Sequence, residues 1–148
     1  MRRSGFTLIE MITVVALIGM MVLIGFPKVR RALDKTNVRA TRDALSTQAA
    51  IARAVAVQRG CRSVLHVTSG SAATVWVTTQ CRAKVDTVGA VDNMSKRFSV
   101  SLAATRDSVQ YDPRGLSLDN AVTVVRITGA AGNRDSIVIN SIGKVMRQ

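Results

Sequence analysis

The residues able to do chemistry are few. The 148-residue chain has two cysteines, one histidine and nine acids, and Glu10 is its only glutamate. His66 lies between Leu65 and Val67 in a β-rich run, where an imidazole is better placed to pack or face solvent than to act as a base. Two cysteines and one histidine do not make up a structural zinc ligand set, so no metal or cofactor is expected. Asp107, Asp112 and Asp119 lack a compact calcium-ligand spacing and read as solvated turn acids. The sequence has no glycine-rich phosphate loop, G-x-S-x-G elbow or H-E-x-x-H pair. Trp76, Phe98 and Tyr111 are too few to form a stacking platform for single-stranded nucleic acid. No catalytic residue is assigned, and an enzyme is not expected. The residues left to explain are Glu10, the cysteine pair and a cation excess of 21 Lys+Arg over 9 Asp+Glu, a net charge of +12.

Glu10 sits inside the most apolar part of the chain. From Phe6 to Phe26 only Thr7, Glu10 and Thr13 are clearly polar. At about 1.5 Å per residue this run makes a helix of roughly 32 Å, close to the hydrocarbon thickness of a bilayer. A helix apolar on every face reads as a membrane span rather than a globular core helix. A cleaved secretory signal is the competing reading, but the run ends at Pro27-Lys28 with no small-residue cleavage site. An unpaired acid in such a span costs on the order of 3 kcal/mol, less near the interface. Glu10 either reaches the headgroups and suits the helix N-terminal dipole, or it pairs with a cation. None lies in the run itself. A cut between Gly5 and Phe6 would create one, the free ammonium of Phe6, to meet Glu10 of a neighbouring subunit.

Met1-Arg2-Arg3-Ser4-Gly5 followed by Phe6-Thr7-Leu8-Ile9-Glu10 resembles the class III signal of type IV pilins and type II secretion pseudopilins. The resemblance implies that residues 1–5 are a prepilin leader cut after Gly5 by prepilin peptidase, and that Phe6 is N-methylated. It assigns Glu10 to subunit registry in a filament, and Pro27 to a helix kink beyond the span. It also implies a single pass through the bacterial inner membrane with the N-terminus cytoplasmic and the head periplasmic. The partners implied are other pilin or pseudopilin subunits, the peptidase and an inner-membrane assembly platform.

Residues 6–27 are then the transmembrane half of a long helix and residues 28–60 its amphipathic half. Lys28 to Arg59 holds no Gly or Pro, and Val29, Leu33, Ala40, Ala44, Ile51 and Val55 mark an apolar stripe. Gly60 is the expected stop. Lys28 to Arg62 carries nine Lys+Arg and two Asp, whereas Ser63 to Gln148 carries ten and six. The cluster Lys28, Arg30, Arg31 and Lys35 favours anionic membrane lipid, or is simply a solvated helix face. The same cluster, by the positive-inside rule, argues for a cytoplasmic C-terminal side, against the orientation implied by the leader.

Residues 61–148 read as a β-rich head. Val64–Val67 and Thr74–Thr79 flank a Thr68-Ser69-Gly70-Ser71 turn, so Cys61 and Cys81 fall at the open ends of a hairpin, near enough to bridge. A disulfide there suits a compartment outside the cytosol; two separate buried thiols are the alternative. Further strands are expected at Phe98–Leu102, Ser108–Tyr111, Ala121–Thr128, Ser136–Asn140 and Lys144–Met146, in two small sheets or one curled sheet packed on the helix. The fold class is therefore α+β, a long N-terminal helix on a small antiparallel head.

The closing region, from the Tyr111-Asp112-Pro113-Arg114-Gly115 turn to Ile142-Gly143-Lys144-Val145, resembles the C-terminal module of GspH/FimT-type minor pilins. This implies a minor subunit, either in the periplasmic pseudopilus of a type II protein secretion system or in a type IV pilus that binds DNA for uptake. The DNA-binding branch uses a Gly-Arg-x-Arg motif. Here the stretch is Gly143-Lys144-Val145-Met146, with Arg147 displaced by one position. Arg126, Arg134, Lys144 and Arg147 are the candidate phosphate contacts.

Overall fold

From Leu8 to Arg59 the only helix-disfavouring residues are Gly19, Gly25 and Pro27, and the segment forms one helix, α1 (Leu8–Arg59). The computed structural model describes residues 7–147, so Gly5 and Phe6 lie outside the described residues. A proline inside a helix removes one backbone donor. Even so, α1 runs unbroken through Pro27, and no local melt occurs there. The helix stops where expected, at Gly60, whose φ of 60° suits a residue without a side chain.

The chain divides into two units between Leu33 and Asp34. In the first, every described side chain from Thr7 to Leu23 is exposed. The second contains the helix from Asp34 to Arg59 and two antiparallel sheets. One sheet has the order β3-β2-β1-β5, from β1 (Arg62–Val67), β2 (Thr74–Cys81), β3 (Lys84–Asn93) and β5 (Ser108–Tyr111). The other is β4-β6-β7-β8, from β4 (Val100–Ala104), β6 (Thr123–Gly129), β7 (Arg134–Ile139) and β8 (Val145–Arg147). A short helix, α2 (Met94–Phe98), links β3 to β4, capped by the Asn93 side chain, which accepts from the Lys96 amide at 2.9 Å.

The α+β architecture and the first hairpin agree with the sequence-based expectation. Three features differ. Lys84–Asn93, to which the sequence reading assigns no element, is a ten-residue edge strand, and the segment at Phe98 is the end of α2 rather than the start of a strand. The helix also buries another face. Asp34, Val38, Thr41, Leu45, Ala49, Ala52 and Ala56 are buried, at steps of three and four, whereas Val29, Leu33 and Ile51 of the expected stripe are exposed. Space between the two sheets is limited, so small residues take the positions that bulky ones would overfill. Around them close Leu65, Val75 and Val77 from one sheet and Val125, Ile127 and Ile137 from the other.

Asp34 fastens this helix to the second sheet. Its Oδ2 accepts from the Asn133 side-chain amide at 2.7 Å and from the Asn133 backbone amide at 3.2 Å. Burial would raise its pKa, but these bonds and the amides of Ala130 and Ala131 outweigh burial, and the carboxyl is held below its ordinary value. A Cβ at Gly129 would land on the Asp34 carboxylate, so the close approach requires glycine. At the other end of the same helix the disulfide Cys61–Cys81, with Cα atoms 5.2 Å apart, closes the β1–β2 hairpin.

Substitution tests each of these fasteners. Asp34→Ala lowers stability by about 1–3 kcal/mol at neutral pH. Because the folded-state pKa is depressed, that contribution is present above the ordinary carboxyl range and disappears as pH falls through the folded value. Urea melts across pH should therefore converge for the wild type and variant in acid. Gly129→Ala destabilises the wild type strongly and the Asp34→Ala variant much less; equal costs in the two backgrounds would reject the close approach as the reason for glycine. Replacing both cysteines with serine lowers stability by ~3 kcal/mol through freeing the closed loop, read as a reduced urea midpoint.

Candidate functional site

Glu10 is placed in the first turn of α1. The Glu10 amide donates to the Thr7 backbone oxygen at 3.1 Å and to Thr7 Oγ1 at 3.4 Å. Thr13 Oγ1 in turn donates to the Glu10 carbonyl at 2.9 Å. Thr7-Leu8-Ile9-Glu10 thus has the spacing of a capping box, a legible signal that a reading for apolar length passes over. Among the described residues no cation pairs with the Glu10 carboxylate. The next one along the sequence is Lys28, about 27 Å away at helical rise. Beside Thr7 and Thr13, the surface around Glu10 is made by the exposed apolar residues Leu8, Ile9, Met11 and Val14. This helix is long and apolar enough to cross a membrane. Where the apolar run ends, the Arg30 guanidinium lies 4.3 Å from the centre of the Phe26 ring, a cation–π contact.

The four candidate phosphate contacts do not form one surface. Arg126 and Arg134 are exposed on adjoining strands of the second sheet, where Arg126 pairs with Ser136 and Arg134 with Thr128. They line a common groove with Ala103 and Ser136. Lys144 lies beyond the opposite end of β7, about 20 Å along the strand direction, and its amide donates to Asn140 Oδ1 at 2.7 Å. Arg147 belongs to β8. The glycine of the Gly143-Lys144 stretch serves the fold, since its φ is 84° and an added Cβ would strike the Tyr111 ring. Tyr111 itself is buried, and burial pushes its hydroxyl pKa up to about 12.

His66 stacks on Trp76 across the β1–β2 pair, with ring centres 4.8 Å apart. Its Nε2 lies 2.9 Å from Thr78 Oγ1, and burial lowers its pKa, which favours the neutral ring. Asp112 Oδ1 accepts from the Arg114 and Leu116 amides at 2.9 and 2.8 Å, and Asp119 Oδ2 accepts from the Gln110 amide at 2.8 Å. These oxygens hold turns. The cation missed by sequence reasoning is Arg39, whose position beside Arg134 depends on how the helix meets the sheet.

Residues 1–26 match the family described as the prokaryotic N-terminal methylation motif. No curated protein matches the chain in sequence. Among solved structures the chain is similar to the type IV minor pilin FimU of Pseudomonas aeruginosa strain PAO1, in two crystal forms. For the P21 form the TM-score is 0.63 at 8% identity, covering 77% of this chain and 90% of FimU. For the P65 form it is 0.59 at 9% identity, covering 74% and 91%. The chain carries the N-terminal methylation motif and a fold similar to that of the type IV minor pilin FimU.

Proposed function

We propose that this chain is a non-enzymatic minor subunit of a filament assembled from the bacterial inner membrane. The observation that carries the reading is the apolar first half of α1, exposed along its described length and holding one carboxylate, Glu10, with no cation paired to it among the described residues. Such a surface is costly in water and calls for lipid before assembly and for neighbouring helices after it. Prepilin peptidase cuts after Gly5, Phe6 becomes the methylated N-terminus, and its ammonium meets Glu10 of the adjacent subunit. Pro27 bends the helix as it leaves the packed region. The head remains periplasmic, where its disulfide is stable.

The finer reading is a GspH-type subunit of a type II secretion pseudopilus, in contact with the assembly platform and other pseudopilins. The likeness to FimU favours the second reading, a minor pilin of a type IV pilus. Deleting the gene in its host separates them. Loss of secreted folded proteins with intact pili supports the pseudopilus, and loss of pili with intact secretion supports the pilus.

Glu10→Ala and Glu10→Gln both leave cleavage after Gly5 intact and reduce incorporation into filaments at least ten-fold, a loss of about 1.4 kcal/mol or more. Glutamine keeps a polar side chain at the cap but removes the charge, so it separates pairing from capping. Wild-type incorporation of the Gln variant, measured by immunoblot of sheared filaments, refutes the pairing.

A further inference from the structure

The second sheet packs one face on α1 and leaves the other open. Val125, Ile127 and Ile137 belong to the core, so the alternate residues of β4, β6 and β7 form the outward face. The register places Arg126 opposite Ser136 and Arg134 opposite Thr128, with Ala103 on the other side of Arg126. Arg126 and Arg134 are therefore diagonal neighbours, about 7–8 Å apart at the backbone. Both are exposed, and both line one groove with Ala103, Thr128 and Ser136. Neither has an acid partner among the described residues. Asp135 borders the groove, but its side chain belongs to the helix side, where Oδ2 lies 3.1 Å from Arg42 Nη1. Like charges kept as neighbours gain nothing from one another, and two guanidiniums side by side make a fork that an oxyanion completes.

The rest of this face selects the kind of anion. The next outward row is apolar: Val124 lies opposite Val138, and Val138 opposite Met146, which is 44% exposed. A nucleic-acid backbone calls for a run of cations, and the row beside the arginine pair has none. Arginine next to exposed apolar side chains is the composition of a protein interface. A second copy of this chain has little acid to offer it. Four of its eight aspartates, Asp43, Asp86, Asp92 and Asp135, are ion-paired within the chain. Asp34, Asp112 and Asp119 accept hydrogen bonds from its own amides. We propose that the outward face of the second sheet docks a different protein subunit, whose Asp or Glu carboxylate seats between Arg126 and Arg134. Apolar side chains of that subunit cover Val124 and Met146. The proposal deepens the reading of the chain as a filament subunit and rests on it.

The test uses the full chain in its host, with the photo-cross-linking residue p-benzoylphenylalanine in place of Ala103, on the groove, or of Val15, in the apolar half of α1. Mass spectrometry should identify from position 103 a protein other than this chain, cross-linked within a segment that carries Asp or Glu. Arg126→Gln and Arg134→Gln should each lower that yield about five-fold or more, while thermal stability and the cross-links from position 15 stay unchanged. Arg126→Glu should abolish the cross-link, and exchange of the partner segment's acid for lysine should restore it. Cross-links from position 15 to other subunits with none from position 103 overturn the docking site and leave the filament reading standing. A yield at position 103 that both Gln variants leave intact does the same. Absence of subunit cross-links from both positions removes both readings. Cross-linking of position 103 to a second copy of this chain, or to DNA, gives the face another occupant and overturns the proposal.

Discussion

A single narrow helix face organises the head. Two four-stranded sheets close on Val38, Leu45, Ala49, Ala52 and Ala56, and neither sheet has another helical layer of comparable length to cover it. Close packing against small residues draws strands from both sheets toward the same stretch of backbone. The buried polar groups on this face are satisfied locally: Thr41 Oγ1 donates to the Asn37 carbonyl at 2.8 Å, and Ser63 Oγ donates to the Ala52 carbonyl at 2.5 Å. Asp34 ends the buried face on one side, and the hairpin closed by Cys61–Cys81 ends it on the other.

The two halves of α1 obey opposite rules. Beyond Asp34 the helix is stabilised by its own head, through one buried stripe. Before Leu33 the described apolar side chains are exposed. Under the proposed function, burial of this first half falls to lipid and to other subunits.

Much of this is legible in the residues. The span announces itself by length and uniform apolarity, Gly60 by its position after a long Gly-free stretch, and the first hairpin by alternation between the two cysteines. β5 has the bounds that its alternation suggests. Other parts carry no such signal. Lys84–Asn93 is an edge strand with exposed Val85 and Val91 and an internal Gly89, so it lacks the in–out alternation that marks a half-buried strand. Asp34 looks like one more surface charge on a basic helix until the turn at Gly129–Asn133 is brought against it. The buried helix face escapes the apolar pattern because alanine carries little hydrophobic weight in sequence, yet is favoured where sheets approach closely. Arg39 and Arg134, 95 positions apart, meet only in three dimensions.

The position of the disulfide bears on how the head carries mechanical load. Cys61 follows the last helical turn by two residues, and its bond reaches the end of β2. A pull along α1 therefore enters the first sheet beside a covalent link, and β1 cannot peel from β2 starting at the helix end.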